Sequence, residues 1–564
     1  MAWATHESDL PVPMRDGTLL RADVWKPNRS GKYPVILARL PYNRVRAQDL
    51  VYPHPSWFAR HGYVVVTLDV RGCWDSEGDF VPFRSEAEDG EDTIGWLNEL
   101  PYTNGYVGMY GFSYPGAIQL QTALSNPDGL RCIVPAMTSP DFYEGWTYNN
   151  GAFSLAFAVS WAFTLCGAIA RRRGDGQLEQ QILKQIDDSP AYYGILPLTT
   201  IPNLGPGEIG AFFQDWLRHE TRDEYWQGLD LTDRLETMNV AVLGIAGLYD
   251  IFLEGTLSIF DRVSKGPRGS DARLIITPWM HIPWASHVGS VDLGPAAINR
   301  IGEIHLSFFD RWIRHGGKES DERVRAFVTG RNDWIILDDW PPPSQDWTLF
   351  LHARSRANSL EGDGTLDEEA PGYEPPDVFT YDPASPIPSI GGRSCCFDFV
   401  APMGPHDQRT VERLNGVLVY TSRELTADTT IAGMIRVHLF AATSAADTDW
   451  TVKVCDVHPN GLSINLQEAI VRARFAGGTE RSRPIPPGDE TEFVLQVGTC
   501  AHLFRAGHRV RLEVSSSNFP HWDRNLNTAH RAGRLDLLDR VVATQTIFHD
   551  AAHPSRVILP VVDL

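Results

Sequence analysis

The stretch Val107-Gly-Met-Tyr-Gly-Phe-Ser-Tyr-Pro-Gly-Ala sets Ser113 between an apolar, strand-like run and a helix expected to start at Tyr114 or Pro115. A sharp strand-to-helix turn lifts a serine hydroxyl clear of a sheet, where it can attack a carbonyl carbon. The backbone crowds itself at such a turn, and Gly111 and Gly116 supply the small neighbours it needs. The usual G-x-S-x-G has glycine where this chain has Pro115, which a first helical turn tolerates because its N–H has no intrahelical partner. A serine hydroxyl is a weak nucleophile until a base takes its proton, and the base must be oriented by a carboxylate. In doubly wound hydrolases the three follow in the order serine, acid, histidine, on loops after successive strands. Asp250, in Ala246-Gly-Leu-Tyr-Asp after the strand-like 241–244, and His281, in Thr277-Pro-Trp-Met-His after 273–277, satisfy order and position. The competing assignments are Asp261 and His287, each deeper in its segment, and a helix-capping Asp250 with a His281 that only packs on Trp279.

The anion formed on attack needs hydrogen-bond donors. The Tyr114 backbone N–H, at the start of the following helix, is one. Tyr42, just past the strand at 33–40, is placed either to aim its phenol at the same spot or to pack as an interfacial core tyrosine.

The elements that must hold these groups alternate. Tyr33–Leu40, Tyr63–Asp69 and Val107–Gly111 are short, continuous apolar runs suited to strands buried on both faces. Glu86–Leu100 reads as a helix, acidic at its start and apolar along Ile94 and Leu97 beside Trp96. This rhythm predicts a doubly wound, mostly parallel α/β sheet over 1–145. Over 146–238 apolar residues recur at helical spacing (Leu178, Ile182, Ile186; Ile209, Phe212, Phe213, Trp216), predicting a helical cap insertion. The sheet resumes over 239–345 at Ala241–Gly244 and Arg273–Thr277 and closes with a helix over Ile301–His315. From 346 to 564 short alternating runs, Gly416–Tyr420, Gly433–Phe440, Trp450–Val457 and Arg509–Val514 among them, predict an all-β sandwich of jelly-roll type.

A chain of 564 residues exceeds one core and should divide into about two to four domains. A formal charge of −21 argues against a nucleic-acid partner, which needs a basic face, and reads as a solvated acidic surface. Seven cysteines, odd in number and including the adjacent pair Cys395 and Cys396, make no disulfide framework, and no C-x-x-C or H-E-x-x-H spacing offers a metal site. The first residues show no basic or apolar leader, and the apolar stretch 152–170 reads as a buried cap helix ending at Arg171–Arg173 rather than a membrane span. The expectation is a cytoplasmic protein without a membrane partner.

The segments Met14-Arg-Asp-Gly-Thr-Leu, Asp69-Val-Arg-Gly-Cys-Trp-Asp-Ser-Glu-Gly and Glu88-Asp-Gly-Glu-Asp-Thr-Ile-Gly-Trp-Leu add specificity. So do Gly111-Phe-Ser-Tyr-Pro-Gly, Pro278-Trp-Met-His, Tyr381-Asp-Pro-Ala-Ser-Pro-Ile-Pro and Ser515-Ser-Ser-Asn-Phe-Pro. With these the chain resembles, almost end to end, the cocaine esterase and X-Pro dipeptidyl-peptidase-like family of α/β hydrolases. In that family Tyr-x-Gly follows the serine, which accommodates Pro115. The resemblance implies a hydrolase core, a helical insertion over the active site and a C-terminal jelly roll. It implies Ser113, Asp250 and His281 as triad, with the Tyr42 hydroxyl and Tyr114 N–H as oxyanion hole, and neither cofactor nor metal. It further implies that Trp146 and Trp161 shape an acyl pocket closed by Phe252, although Trp161 suits the core of the cap equally well.

The expected partner is therefore a small-molecule ester, or an amide if the chain is an acylase or aminopeptidase-like member; a homodimer is an allowed assembly. Relatives that bind a substrate ammonium place carboxylates two and three residues beyond the acid, where this chain has Phe252 and Leu253. A cation buried there would lack a counter-charge, so a neutral ester with an apolar or aromatic acyl group is favoured, with Glu254 left as a candidate substitute. A non-catalytic, carbohydrate-binding sandwich protein is the alternative from another class. Asp447, Asp449, His458 and His521 are expected to be turn and surface residues.

Overall fold

The computed structural model describes residues 4–46, 50–314, 322–396, 402–530 and 533–563. Its N-terminal sheet has ten strands: β1 (Ala4–Pro13), β2 (Leu19–Pro27), β3 (Tyr33–Leu40), β4 (Val64–Asp69), β5 (Thr103–Phe112), β6 (Leu130–Ala136), β7 (Ala241–Tyr249), β8 (Ala272–Met280), β9 (Val324–Val328) and β10 (Asp333–Leu337). They lie in the order β1-β2-β4-β3-β5-β6-β7-β8-β9-β10. From β4 to β9 every pair is parallel, while β1, β2 and β10 add antiparallel edges. All six residues of β4 and all nine of β7 are buried, as runs of Val, Ile and Leu covered on both faces require. Helices α1 (Glu86–Glu99) and α2 (Tyr114–Leu124) pack on one another, and α1 carries Glu86, Glu88 and Asp89 in its first turn. The antiparallel edges and β6 are additions to the sequence reading: β1 is polar and half-exposed, and β6 carries Pro135.

Between β6 and β7 the chain forms α3 (Leu155–Arg172), α4 (Gly176–Asp187) and α5 (Ala211–Arg218). Helix α3 is the one helix, among the described residues, long and apolar enough to cross a membrane, and 83% of it is buried inside the protein. Its last turn carries Arg171 and Arg172, which suit the negative end of the helix dipole. Helix α6 (Leu253–Ser264) follows β7, and α7 (Ile301–Phe309) precedes a π turn at Asp310–Arg314; His315, where the sequence reading ended this helix, lies outside the described residues.

The C-terminal part is all-β, an eleven-stranded sheet with its own apolar core. It includes β11 (Leu418–Ser422), β12 (Thr429–Thr443), β13 (Asp449–Val457), β14 (Ser463–Arg472), β15 (Thr491–Phe504) and β16 (Arg509–Ser515). Every residue of β13 and β14 is buried, because this sheet is pressed against the N-terminal part. Here the expectation of surface aspartates and histidines fails. Asp447, Asp449 and His521 are buried, and only His458 is partly exposed. Asp449 takes both arms of Arg472 at 2.9 Å, Arg472 also reaches Asp523 at 2.7 Å, and Asp447 binds Arg474 at 2.6 Å. His521 bonds Glu468 at 2.9 Å and stacks on Trp522 at 4.0 Å. Arg474 then meets Glu220, and Asp523 accepts the Phe153 N–H, so these charges knit the helical insertion to the β sheet. Each carboxylate is buried because it is paired.

Candidate active site

Strand β5 delivers Ser113 into a backbone conformation at φ 65°, ψ −131°, where L-residues are strained, and α2 begins at the next residue. Two glycines make the turn possible. A Cβ at Gly111 would come within 2.5 Å of Pro115, and one at Gly116 within 2.9 Å of the Ala136 carbonyl. The Ser113 N–H is anchored on Ala136 and Met137 carbonyls, and its own carbonyl accepts the N–H groups of Gly116 and Ala117 and the Thr138 hydroxyl. The backbone strain is thus held by five hydrogen bonds around one residue.

Asp250 and His281 stand at the ends of neighbouring strands β7 and β8. The His281 Nδ1 lies 2.6 Å from Asp250 Oδ1, with both side chains 2% exposed or less. That partner fixes the proton on Nδ1 and leaves Nε2 as the basic nitrogen. The other Asp250 oxygen accepts the Phe252 N–H at 3.1 Å. The His281 ring packs 5.3 Å from Phe112, the residue before the serine, and 5.4 Å from Phe252. The competing pair is placed elsewhere: Asp261 binds Lys265 on an exposed helix face, and His287 is 72% exposed beside Asp292.

Tyr42 and Trp161 meet directly. The indole N–H of Trp161 donates to the Tyr42 hydroxyl at 3.1 Å, which leaves the phenolic proton to point elsewhere. Burial raises the Tyr42 phenol above its ordinary pKa, against the opposing hydrogen bonds to Trp161 and Ser113, so it remains a donor at neutral pH. Trp161 is therefore a buried residue that also holds Tyr42, a contact the sequence reading, which weighed only acyl pocket against cap core, did not include. Trp146 packs 5.6 Å from Trp161 and 4.2 Å from Phe252, so the three expected pocket aromatics form one wall reaching the His281 ring. Sequence reasoning missed three further members: Phe157 and Trp216 both stack on Trp161, at 5.4 and 5.2 Å, and Phe83 stacks 4.6 Å from Tyr114. Trp216 was visible only as a helical-period apolar residue.

Glu86 has a role the sequence did not reveal. Its position in the first turn of α1 reads as a surface charge favouring the helix dipole, yet it is buried. It accepts the Tyr114 hydroxyl at 2.7 Å and the Arg39 guanidinium at 2.8 Å. Burial raises its pKa and the Arg39 charge opposes that rise. This chain of bonds fixes Tyr114, whose backbone N–H follows the serine.

Glu254 is occupied. Its carboxylate accepts the Thr499 N–H at 2.6 Å and hydroxyl at 2.9 Å, with Arg393 at 3.3 Å. The β sheet also props the acid-bearing loop: Gln467 donates to the Leu248 carbonyl at 2.9 Å, and Ser394 forms a β-bridge with Asp250. Next to that bridge Cys395 and Cys396 are joined as a disulfide between chain neighbours, with sulfurs close to His281. The sequence reading foresaw no disulfide; this one joins chain neighbours and encloses no loop.

A serine on a strained turn at the carboxyl end of a parallel sheet, with a carboxylate-held imidazole packed on the residue before it, is an arrangement suited to a serine hydrolase of α/β type. Residues 16–283 match the X-Pro dipeptidyl-peptidase (S15 family) model, and residues 316–558 match the X-Pro dipeptidyl-peptidase C-terminal non-catalytic domain. Cocaine esterase from Rhodococcus sp. (strain MB1 Bresler) is 35% identical over 98% of this chain and 98% of that protein. The chain belongs to this cocaine esterase and X-Pro dipeptidyl-peptidase-like family. An aminopeptidase from the marine sediment archaeon Thaumarchaeota archaeon superposes with a TM-score of 0.84 at 25% identity, covering 100% of this chain and 97% of that one. An α-amino acid ester hydrolase does so at 0.80 and 26% identity, covering 99% and 97%.

Proposed function

We propose that the chain is a carboxylesterase acting through Ser113, His281 and Asp250 on a neutral substrate with an apolar or aromatic acyl group. The observation that carries this is the buried 2.6 Å contact between His281 and Asp250 at strand ends adjoining the serine turn. The Ser113 oxygen attacks the ester carbonyl while its proton passes to His281 Nε2. The resulting oxyanion is stabilised by the Tyr42 hydroxyl and the Tyr114 N–H. The imidazolium returns the proton to the departing alkoxide, leaving an acyl-serine that water hydrolyses by the same sequence in reverse. Residues 146–238 act as the cap, whose Trp146 and Trp161 wall the acyl site together with Phe252. The neutral-substrate reading rests on Phe252 and Leu253, which offer no carboxylate after Asp250, and is supported by Glu254, whose oxygens already accept from Thr499 and Arg393.

Matched esters and amides of one acyl series test this. Esters should turn over at least about 100-fold faster than amides, which need fuller protonation of a poorer leaving group. Equal rates would instead establish the amidase or aminopeptidase-like reading, which the structural likeness to an aminopeptidase keeps in view. In the same panel Trp146→Ala should lower kcat/KM for benzoyl esters by about tenfold or more while sparing acetyl esters. A uniform loss across acyl groups would remove Trp146 from the pocket.

Tyr42→Phe removes one oxyanion donor and should lower kcat about 10²–10³-fold with KM little changed. Trp161→Phe keeps the ring stack but loses the N–H that orients Tyr42, so its kcat should fall by a smaller factor, about tenfold, and add little to Tyr42→Phe in the double variant. Additive losses would show that the indole acts independently of Tyr42.

A further inference from the structure

At the seam between the two sheets, three imidazoles converge on one buried carboxylate. Asp456, near the end of β13, has its oxygens 2.8 and 3.0 Å from His508 Nδ1, 3.2 Å from His502 Nε2 and 3.7 Å from His458 Nε2. His458 follows β13 directly, His508 lies in the turn before β16, and His502 sits on β15. The His458 and His508 rings face each other with centroids 4.4 Å apart. The donor atoms of Asp456, His458 and His508 all lie within 4.8 Å of one another.

Two imidazoles this close would repel if both were charged, and one carboxylate balances only one of them. Two imidazole nitrogens and a carboxylate oxygen form a donor set suited to zinc and its neighbours. With bonds of about 2.0–2.1 Å, tetrahedral donors stand roughly 3.3–3.5 Å apart, and the carboxylate-to-nitrogen separations here bracket that spacing. His502 completes the outer shell: one ring nitrogen holds Asp456, and the other lies 2.8 Å from the Thr329 hydroxyl. Thr329 follows β9 of the first sheet and its N–H bonds the Ala501 carbonyl. The side chain of His458 is 35% exposed, which gives the cluster a path to solvent and room for a water ligand.

We propose that Asp456, His458 and His508 form a binding site for a divalent ion of the zinc class, with His502 as the residue that orients the carboxylate. The ion would clamp the β sheet at the point where it meets Thr329, and it takes no part in ester cleavage.

The full-length protein, stripped with a chelator, should bind one Zn²⁺ at micromolar or tighter affinity by calorimetry, and Co²⁺ in its place should give a visible absorption band. Saturating Zn²⁺ should raise the thermal midpoint by at least about 2 °C. His458→Ala and His508→Ala should each weaken binding at least about tenfold and remove the thermal gain, while the exposed His287→Ala leaves both intact. Because Asp456 is buried and its loss could unfold the region, the partly exposed His458 carries the test. No stoichiometric binding below about 100 μM, or binding undiminished in the His458→Ala/His508→Ala double variant, overturns the site.

Discussion

Ser113→Ala is expected to lower ester turnover by about 10⁶-fold and to eliminate labelling by a fluorophosphonate probe. The size follows from removing the atom proposed to form the acyl bond, since losses of this order accompany removal of the nucleophile in triad hydrolases. The fold should be untouched. Alanine keeps the Cβ, so the strain at φ 65° is the same, and the hydrogen bonds that hold this turn all involve the Ser113 backbone. A thermal midpoint equal to that of the parent, measured beside the rate, separates chemistry from damage. Asp250→Asn should lie between the two, about 10⁴-fold down, because an amide can donate to Nδ1 and so favours the wrong tautomer of His281. Retained labelling in Ser113→Ala would place the nucleophile elsewhere in the chain.

The largest stability effect is expected at Arg472→Ala, with a local cost of about 3–5 kcal/mol. Arg472 is 1% exposed and holds Asp449 through two bonds and Asp523 through a third. Deleting it strands two buried carboxylates, and the greater part of the cost is their uncompensated charge. Burial already raises the Asp449 pKa, with Arg472 opposing it; without the guanidinium the rise should be larger. A carboxyl whose folded pKa is raised loses stability as pH climbs above its unfolded value, near 3.9, so the deficit should be small in acid and grow toward neutrality. Thermal midpoints across that range check the sign. Adding Asp449→Asn and Asp523→Asn to Arg472→Ala should recover part of the loss at neutral pH; no recovery would assign the effect to packing.

The residues proposed for the site could be picked from the sequence because the signals that mark them are local. Ser113, Asp250 and His281 each sit immediately after a mostly buried strand, and strand ends of a parallel sheet gather such positions on one side. Gly111 and Gly116 were readable for the same reason, since the close approach to Pro115 and Ala136 arises within the turn or from the next strand. The charged residues of the C-terminal half were not. Asp449 finds Arg472 across 23 positions and Arg474 finds Glu220 across 254, and a lone aspartate in a turn-rich segment carries no mark of a partner so distant. Glu86 failed likewise: its place at a helix start has a sufficient local explanation, and only the packing of α1 against α2 brings Tyr114 to it. The half-exposed strand β1 was missed because Glu7, Asp9, Pro11 and Pro13 dilute its apolar signal.

The bonds from Thr499 and Arg393 to Glu254 have a practical side for anyone redesigning this enzyme. Converting it to accept positively charged amines is a problem shared by two structural units, since the carboxylate of Glu254 is already bonded by a strand some 245 positions away. A variant library confined to the helix at 253–254 would search the wrong variables. One that also varies positions 393 and 499 would release that acid, and the loosened seam would then have to be restored by other means.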